Sequence, residues 1–225
     1  GATELTLSNG IKVYVKQTDF KADEILMKGY SLGGTSLFGN EDKLNFSVMS
    51  QIMEASGVAN FSNTDLTKML AGKKVNVYAN VCSLSQGVNG NCSPKDLETL
   101  LQLVYLGFTA PRKDAEAFES WKTRTKAQLE SAEANPLYSI NDSIGYAMYG
   151  YHPRFFTLKA NLVDQVNLDR VYEMYKQCFA NAGDFTFFFV GNIDLATAKP
   201  LIASYLGSLP STGKQGKWVD HKMNI

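Results

Sequence analysis

Alternating apolar and polar residues predict several short β-strands. Leu5–Val15 alternates around Asn9-Gly10, a dipeptide that suits the tight turn of a hairpin. We expect further strands in three segments with a similar pattern, namely Ile25–Tyr30, Val75–Val81 and Leu84–Cys92. These patterns predict a sheet built largely from antiparallel neighbours.

The segment Phe185–Val190 is almost continuously apolar. Such a run is typical of a strand that lies inside a sheet and is covered on both faces. Asp184 is its only close charged neighbour, which argues against a surface on which nucleic-acid bases stack. We therefore expect a central core strand here.

Apolar residues at intervals of three and four predict helices over much of the remaining chain. Two of them have clear start signals, because Ser93-Pro94 begins one helix and Asp194 caps the last. Pro200 falls inside the last helix, and we expect it to kink the helix or displace its start. The other helices are expected near residues 42–56, 63–70, 114–133, 139–149 and 168–179.

Hairpins and helical connections coexist in this order of elements. The predicted fold class is α+β, with a mixed, mostly antiparallel sheet packed against several helices. No internal linker is visible, so residues 1–210 are predicted to form a single domain. Residues 211–225 are polar and contain two glycines, and we predict a linker or tail toward a missing companion domain.

Composition and charge mainly exclude classes of function. The 225 residues include 22 basic and 22 acidic side chains, and this neutral balance argues against nucleic-acid binding, which requires a basic face. No run of about 18 apolar residues occurs, so the sequence predicts no membrane span. Cys82, Cys92 and Cys178 form no C-x-x-C pair, and we expect all three to be buried free thiols.

The chain has only two histidines, His152 and His221, which lie far apart in the sequence. They cannot form the helix-borne zinc motifs His-x-x-x-His or His-x-x-Glu-His. His152 follows Tyr149 and Tyr151, and this aromatic cluster is a candidate groove or domain interface, with core packing as the alternative. On these grounds alone, the chain is an α+β domain without a recognisable active site.

The order of the segments resembles one domain of the pitrilysin/insulinase-type zinc metallopeptidases, the inverzincins. The resemblance extends over nearly the whole chain and implies the fold of a processing-peptidase-like domain. Four places carry it, namely the opening hairpin at Leu7–Val13, the small-residue turn at Ser31–Ser36, Asn135-Pro136 after the long helix, and the closing segments Phe187–Asp194 and Tyr205–Pro210.

Active members of this family carry His-x-x-Glu-His on the first helix, where two histidines bind zinc and the glutamate activates water. Counted back from Gly57, the matching window contains Val48, Gln51 and Ile52, a degenerate zinc motif. The segment 42–57 contains no histidine, so an acid near the third-ligand position, around residues 128–130, has no partner ligands. The resemblance therefore implies no catalytic residue, no metal ligand and no cofactor in this chain.

The working unit in this family is usually a pair of similar halves, of which one carries zinc. This chain resembles the leading domain of the non-catalytic half. The resemblance implies that it encloses a peptide or unfolded protein substrate and docks against other domains of the same polypeptide, with zinc in the catalytic half of the parent. The chain alone is then expected to be inactive.

The alternative is a scaffold or binding domain of a catalytically dead peptidase-like assembly. The two interpretations differ in whether the parent protein contains a His-x-x-Glu-His motif. Whether the parent is an enzyme thus stays open at this point. The resemblance suggests a bacterial periplasmic or other extracytoplasmic setting, whereas the residues themselves leave the compartment open.

Overall fold

A computed structural model describes residues 1–223 and contains one six-stranded sheet. The strands are β1 (Thr3–Thr6), β2 (Lys12–Gln17), β3 (Ile25–Leu32), β4 (Val75–Val81), β5 (Ser85–Cys92) and β6 (Thr186–Gly191). The α-helices are α1 (Lys43–Ala55), α2 (Asn63–Met69), α3 (Leu97–Thr109), α4 (Ala115–Glu133), α5 (Pro136–Met148), α6 (Leu168–Cys178) and α7 (Leu195–Gly207).

The strand order is β1-β2-β6-β3-β5-β4. Within this order β2 and β6 run parallel, with Val13 beside Phe187, and the other neighbours run antiparallel. The mixed, mostly antiparallel sheet and its layer of helices confirm the predicted α+β class. The predicted hairpin at Asn9-Gly10 is β1-β2.

Helices cover one face of the sheet. In this layer α1 packs against α6, and α3 packs against α7. Because successive side chains of a strand point to opposite faces, every second strand residue enters the core between the sheet and the helices. The buried strand residues on this face include Val13, Val15, Ile25, Met27, Val88, Phe187 and Phe189.

The other face of the sheet is open, so the prediction that β6 is covered on both faces is wrong. Phe187 and Phe189 are completely buried, whereas Phe188 is half-buried and Val190 is 36% exposed. The ring of Phe188 stacks with Tyr14 and Tyr30 of the neighbouring strands, at centroid distances of 5.3 and 6.3 Å. Contacts between strands, and not a second layer of helices, accommodate this apolar residue.

The helix ends follow their capping residues. The Asp194 carboxylate accepts a hydrogen bond from the Thr197 amide, and α7 begins directly after Asp194. Pro200 therefore lies inside the helix without displacing its start. Asn135 caps α5 and Pro136 is its first residue, a position that favours proline, so this helix begins earlier than the sequence pattern predicted.

The cysteines differ in exposure. Cys92 and Cys178 are buried free thiols, as expected, and burial raises the pKa of each to about 12. Cys82 lies exposed in the turn between β4 and β5, so the prediction that it is buried is wrong. Both buried thiols are therefore protonated and act as small apolar side chains.

Gly29 provides a test of the packing beneath β6. It lies opposite Phe187, and a β-carbon at this position would lie 2.5 Å from the Phe187 ring. We expect Gly29→Ala to lower the free energy of unfolding by about 1–3 kcal/mol, measured by urea denaturation, because the ring must move within a packed core.

Gly107→Ala in α3 is the matched control. A β-carbon there meets no atom within 4 Å, and alanine favours helix, so this variant is expected to gain about 0.5–1 kcal/mol. Equal stabilities of the two variants would contradict the packing described for β6.

Candidate functional site

The predicted remnant of the zinc motif lies on α1. Val48 and Ile52 point into the core, where they are 2% and 1% exposed. Gln51 lies on the outer side of the helix, and its Oε1 accepts a hydrogen bond of 3.3 Å from Nε1 of Trp121 on α4. Two aliphatic side chains and one amide thus occupy the window, although its register on α1 stays a prediction.

The acidic residues near the expected third ligand are not part of a metal site. Glu130 lies exposed on α4. Across residues 1–223, no group of three or more His, Cys, Asp or Glu side chains is arranged to hold a metal ion. The donor set of the described chain therefore does not fit zinc.

β4 is an edge strand that pairs only with β5. Two hydrogen bonds flank this pair: the Cys82 amide donates to the Ser85 carbonyl, and the Ser93 amide donates to the Lys74 carbonyl. In an antiparallel pair such bonds occur at every second residue. The even-numbered residues of β4 therefore bond to β5, and the odd-numbered residues turn their backbone groups outward.

These outward groups form a free edge. Val81 is the exception, because its amide donates to the Ser50 hydroxyl on α1 at 3.1 Å. Within the described residues, the outward amide and carbonyl groups of Val75, Val77 and Ala79 have no hydrogen-bond partner in the chain. The edge therefore presents three alternate residues whose backbone groups are free to pair with another strand.

An apolar cleft of about 400 Å³ lies beside this free edge, between β4, α1, α2 and α3. Its walls include Val77, Leu66, Val104 and Tyr175. The side chains of Val75, Val77 and Ala79 are only partly buried, since the cleft separates them from the helices.

α2 forms one wall of the cleft without being part of the core. It has no buried residue, and a second cleft of about 410 Å³ lies beside it, lined in part by the same residues, Leu66 and Leu70. A capping box between Ser62 and Asp65 stabilises its start, and hydrogen bonds from Ser62 lower the pKa of the Asp65 carboxyl. α2 is therefore a locally stabilised helix that is lightly packed on the domain.

A free strand edge beside an apolar cleft is suited to one kind of recognition. An extended peptide can add to such an edge as a further strand through backbone hydrogen bonds, while alternate side chains enter the neighbouring pocket. Sequence analysis predicted β4 as a strand but gave no signal that it lies at an edge. That position depends on the strand order, which no local pattern encodes.

The three residues of the predicted aromatic cluster have different environments. Tyr149 stacks on Phe155 at a centroid distance of 4.3 Å, whereas Tyr151 is 73% exposed with a φ of 55°. His152 is held on both sides of its ring: Nδ1 accepts from the Arg154 amide at 3.1 Å, and Nε2 donates to the His221 carbonyl at 3.1 Å. Since both ring nitrogens are engaged, His152 has the contacts of an anchoring residue.

The two histidines meet at the tail that follows α7. His221 Nε2 donates to the Ser36 carbonyl at 2.7 Å, and the Val219 amide donates to the Ser36 hydroxyl at 3.0 Å. Residues 219–221 are therefore bound between the turn before α1 and the loop after α5. Residues 224–225, the end of the predicted tail, lie outside the described residues.

Arg154 is a buried cation beneath this corner, a structural role that sequence analysis did not predict. Its guanidinium donates to the carbonyls of Phe38, at 2.9 Å, and Thr35, and lies 4.7 Å over the ring of Phe46. It also donates to Asn40 Oδ1 at 3.2 Å. Burial lowers the pKa of Arg154 from its ordinary value. The side chain thus fixes the turn to which the tail binds.

α5 carries an apolar stripe that faces solvent. Its members recur at steps of three and four and are 51–64% exposed, and no residue of α5 is buried. We call this set the α5 stripe: Leu137, Ile140, Ile144 and Met148. Large exposed apolar patches are typical of interaction sites in soluble proteins, so the α5 stripe is a candidate for one.

Comparison with known proteins shows which family the chain resembles. Residues 165–224 match the sequence model of a family described as the Peptidase M16 inactive domain. A zinc protease PQQL-like protein of Arabidopsis thaliana is 30% identical over 213 residues, which are 93% of this chain and 20% of that protein. Over most of its length the chain is similar to M16 zinc peptidases, and residues 165–224 match their inactive domain. The predicted resemblance is thereby confirmed.

Solved structures of other proteins have the same fold as this chain. The periplasmic protease PqqL from Escherichia coli matches 98% of the chain with a TM-score of 0.81 and 21% identity. A mutant of the ferredoxin protease FusC, in complex with Arabidopsis ferredoxin, matches 97% with a TM-score of 0.78 and 14% identity. The chain spans about a quarter of each of these proteins (24%).

A helix must be both long and apolar to cross a bilayer. In the part of the chain that the structure describes, no helix is both long and apolar enough to cross a membrane. The longest helix, α4, carries numerous charged residues.

Replacing Arg154 tests its role as a buried clamp. We expect Arg154→Met to lower the free energy of unfolding by about 2–4 kcal/mol, because the buried carbonyls lose their charged donor. Arg124→Met on the exposed side of α4 is the matched control and should change stability by less than about 0.5 kcal/mol. Thermal denaturation measures both, and a similar loss in the two variants would argue against the clamp.

Proposed function

We propose that this M16 domain is a non-catalytic part of a larger zinc metalloendopeptidase, in which it helps to enclose a peptide or unfolded protein substrate. The observation that carries the proposal is the free edge of β4 beside an apolar cleft. It occurs on a domain whose α1 has no zinc ligands in the motif window, so binding and cleavage are assigned to different parts of the parent. Zinc would be bound in the catalytic half.

Two comparisons support this proposal. The Arabidopsis relative is a zinc protease PQQL-like protein of which this chain spans 20%, so a protein of that kind has room for both binding and catalytic domains. The FusC structure contains ferredoxin, a protein partner. By the same reasoning we propose an extracytoplasmic setting, since the E. coli PqqL neighbour is described as periplasmic.

Peptide binding at β4 follows from the outward groups of Val75, Val77 and Ala79. An added strand would bond to each of them in turn, at the repeat of about 6.6–7 Å that separates alternate strand residues. Every second side chain of the peptide would point toward the cleft. Backbone bonds are independent of sequence, so this edge suits a protein that handles many peptides.

We assign docking within the parent to the α5 stripe and the adjoining Tyr151. An exposed apolar surface of this kind is costly in water unless another domain covers it. The tail from residue 211 is bound by His152, which lies at the same end of α5. In this proposal residues 1–210 are one domain, and residues 211–225 lead the chain to a companion domain beside the stripe.

Peptides with methylated backbone nitrogens test strand addition. A fluorescent peptide of alternating valine and serine should bind the chain. Two methylated forms of this peptide are compared, each carrying N-methyl groups on one of the two alternate sets of backbone amides. One form should bind at least about tenfold more weakly than the unmethylated peptide. Only one set of peptide amides faces β4, so methylation of the other set should leave the affinity nearly unchanged. Affinity is measured by fluorescence anisotropy, and an equal loss of affinity in the two methylated peptides would refute strand addition.

Two proline variants locate the edge. Ala79→Pro removes an outward amide of β4, whereas Thr6→Pro removes an outward amide of β1, the opposite edge; proline is tolerated at such positions. Ala79→Pro should weaken peptide binding with little change in melting temperature, and Thr6→Pro should not. Weaker peptide binding in Thr6→Pro but not in Ala79→Pro would place the peptide site at β1.

The α5 stripe is tested in the parent protein. Ile144→Glu should lower the melting temperature of the parent by several degrees but leave that of the isolated chain unchanged, because the side chain is already 51% exposed in the isolated domain. Ser143→Glu, on an exposed position outside the stripe, is the matched control. An unchanged parent would exclude docking through the stripe.

Metal analysis distinguishes the proposal from a scaffold in a dead assembly. The isolated chain should bind no zinc and cleave no peptide, whereas the parent should contain zinc and lose peptidase activity on chelation. A zinc-free, inactive parent that still binds peptide would support the alternative interpretation, a scaffold or binding domain in a catalytically dead assembly. Zinc-dependent cleavage by the isolated chain would contradict both interpretations.

A further inference from the structure

The open face of the sheet carries all charged residues of the six strands. They are three lysines and one glutamate: Lys12, Lys16, Lys28 and Glu4. Each lysine lies directly opposite a residue of β6, in the order Thr186, Val190 and Phe188. In the register of the sheet the three lysines therefore lie around Phe188, on a face whose strand residues carry an excess of positive charge.

The centre of this surface is apolar. Tyr14 and Phe188 stack on neighbouring strands, and Leu26 and Val190 beside them are 48% and 36% exposed. Leu26 lies opposite Val190, so these side chains continue the apolar patch along β6. The patch and the surrounding lysines together form what we call the basic-aromatic face.

The three lysines are not neutralised within the domain. Among the ion pairs of residues 1–223, none involves Lys12, Lys16 or Lys28. All three are exposed. Their charge is therefore available to a partner.

Toward the β4 edge, the same face changes from basic to amide-rich. Asn76, Asn80, Asn89 and Asn91 lie on this side, and Asn89 donates to Asn80 at 2.9 Å. Across the sheet from Phe188, the residues that pair in register are Lys28 on β3, Asn89 on β5 and Tyr78 on β4. A row of side chains thus leads from the basic-aromatic face directly to the strand edge assigned above to peptide.

We propose that the basic-aromatic face binds acidic polypeptide segments, with carboxylates at the three lysines and apolar side chains on the Tyr14–Phe188 pair. This inference rests on the proposed function and defines its substrate class. A substrate that adds to β4 extends over the adjoining sheet surface, where the lysines select it by charge.

A second copy of the chain does not fit this face. In a symmetric dimer the same patch meets itself, so three lysines would face three lysines with a single glutamate from each copy to offset them. A permanent domain contact fits poorly as well, because the centres of such interfaces are depleted of lysine, and Lys28 lies directly beside Phe188. The charge favours a transient acidic partner.

Single-stranded nucleic acid is also a weaker candidate. Bases bind exposed aromatic rings by stacking on them. The rings of Tyr14 and Phe188 are inclined by only 15° and stack on each other, so each covers part of the other's face. The face contains no arginine, and the whole chain has a formal charge of zero.

Fluorescence anisotropy with the 225-residue chain tests the inference. The first probe is a labelled peptide in which glutamate alternates with valine and tyrosine, and the second replaces each glutamate with glutamine. The acidic peptide should bind at least about tenfold more tightly, and raising salt from about 0.05 to 0.3 M should remove most of the difference. Equal affinities at low salt would overturn the inference.

A triple variant localises the effect. Lys12→Gln with Lys16→Gln and Lys28→Gln should abolish the preference for the acidic peptide. Lys95→Gln with Lys176→Gln and Lys199→Gln makes the same change in net charge on exposed helical positions and should retain it. Equal loss in both variants would overturn the inference, because net charge alone would then explain the preference.

Two further outcomes are decisive. Tighter binding of a labelled oligothymidine than of the acidic peptide would overturn the inference in favour of nucleic acid. Equal affinity for both peptides, together with loss of binding in Ala79→Pro, would refute charge selection while leaving strand addition at β4 intact. Failure of the inference is therefore distinguishable from failure of the proposed function.

Discussion

The alternation of side chains along β6 is the constraint on which the rest of the structure depends. Phe187 and Phe189 enter the core, where the helices pack on them, and this fixes the register of β6 against both neighbours. Phe188 is then forced onto the opposite face beside Tyr14. One strand thereby determines both the buried layer and the centre of the open face.

The functional surfaces follow from this one-sided architecture. Helices cover only one side of the sheet, so the other side and the β4 edge remain accessible. α1 packs Val48 and Ile52 into the core, and the described chain offers no cluster of metal-binding residues. The chain thus presents a free strand edge and an open sheet face, the two surfaces to which our proposals assign binding. In our proposal, its tail and the α5 stripe join it to the rest of a longer protein.

Much of the fold was predictable because its signals are local. The Asn9-Gly10 turn, the Ser93-Pro94 helix start and the Asp194 cap each act within a few residues, and the structure contains the corresponding elements. The coverage of β6 was not predictable, since an apolar run does not reveal whether a second layer exists. Phe188 is accommodated by rings on other strands, which a local pattern cannot show.

The candidate site was harder to predict for the same reason. The free edge of β4 depends on the order of six strands, and the meeting of His152 with His221 depends on the path of the tail. The structural role of Arg154 was not predictable, because its partners are backbone carbonyls of a distant turn. By contrast, the lack of histidine in segment 42–57 was readable directly from the positions of the two histidines in the sequence.

The most direct test of the central claim is hydrogen exchange of the chain with and without a bound peptide, resolved to single amides by NMR. The account predicts that peptide slows exchange at the outward amides of Val75, Val77 and Ala79, while amides at the outer edge of β1 remain unchanged. Protection at β1, or peptide binding without any protection at β4, would contradict it.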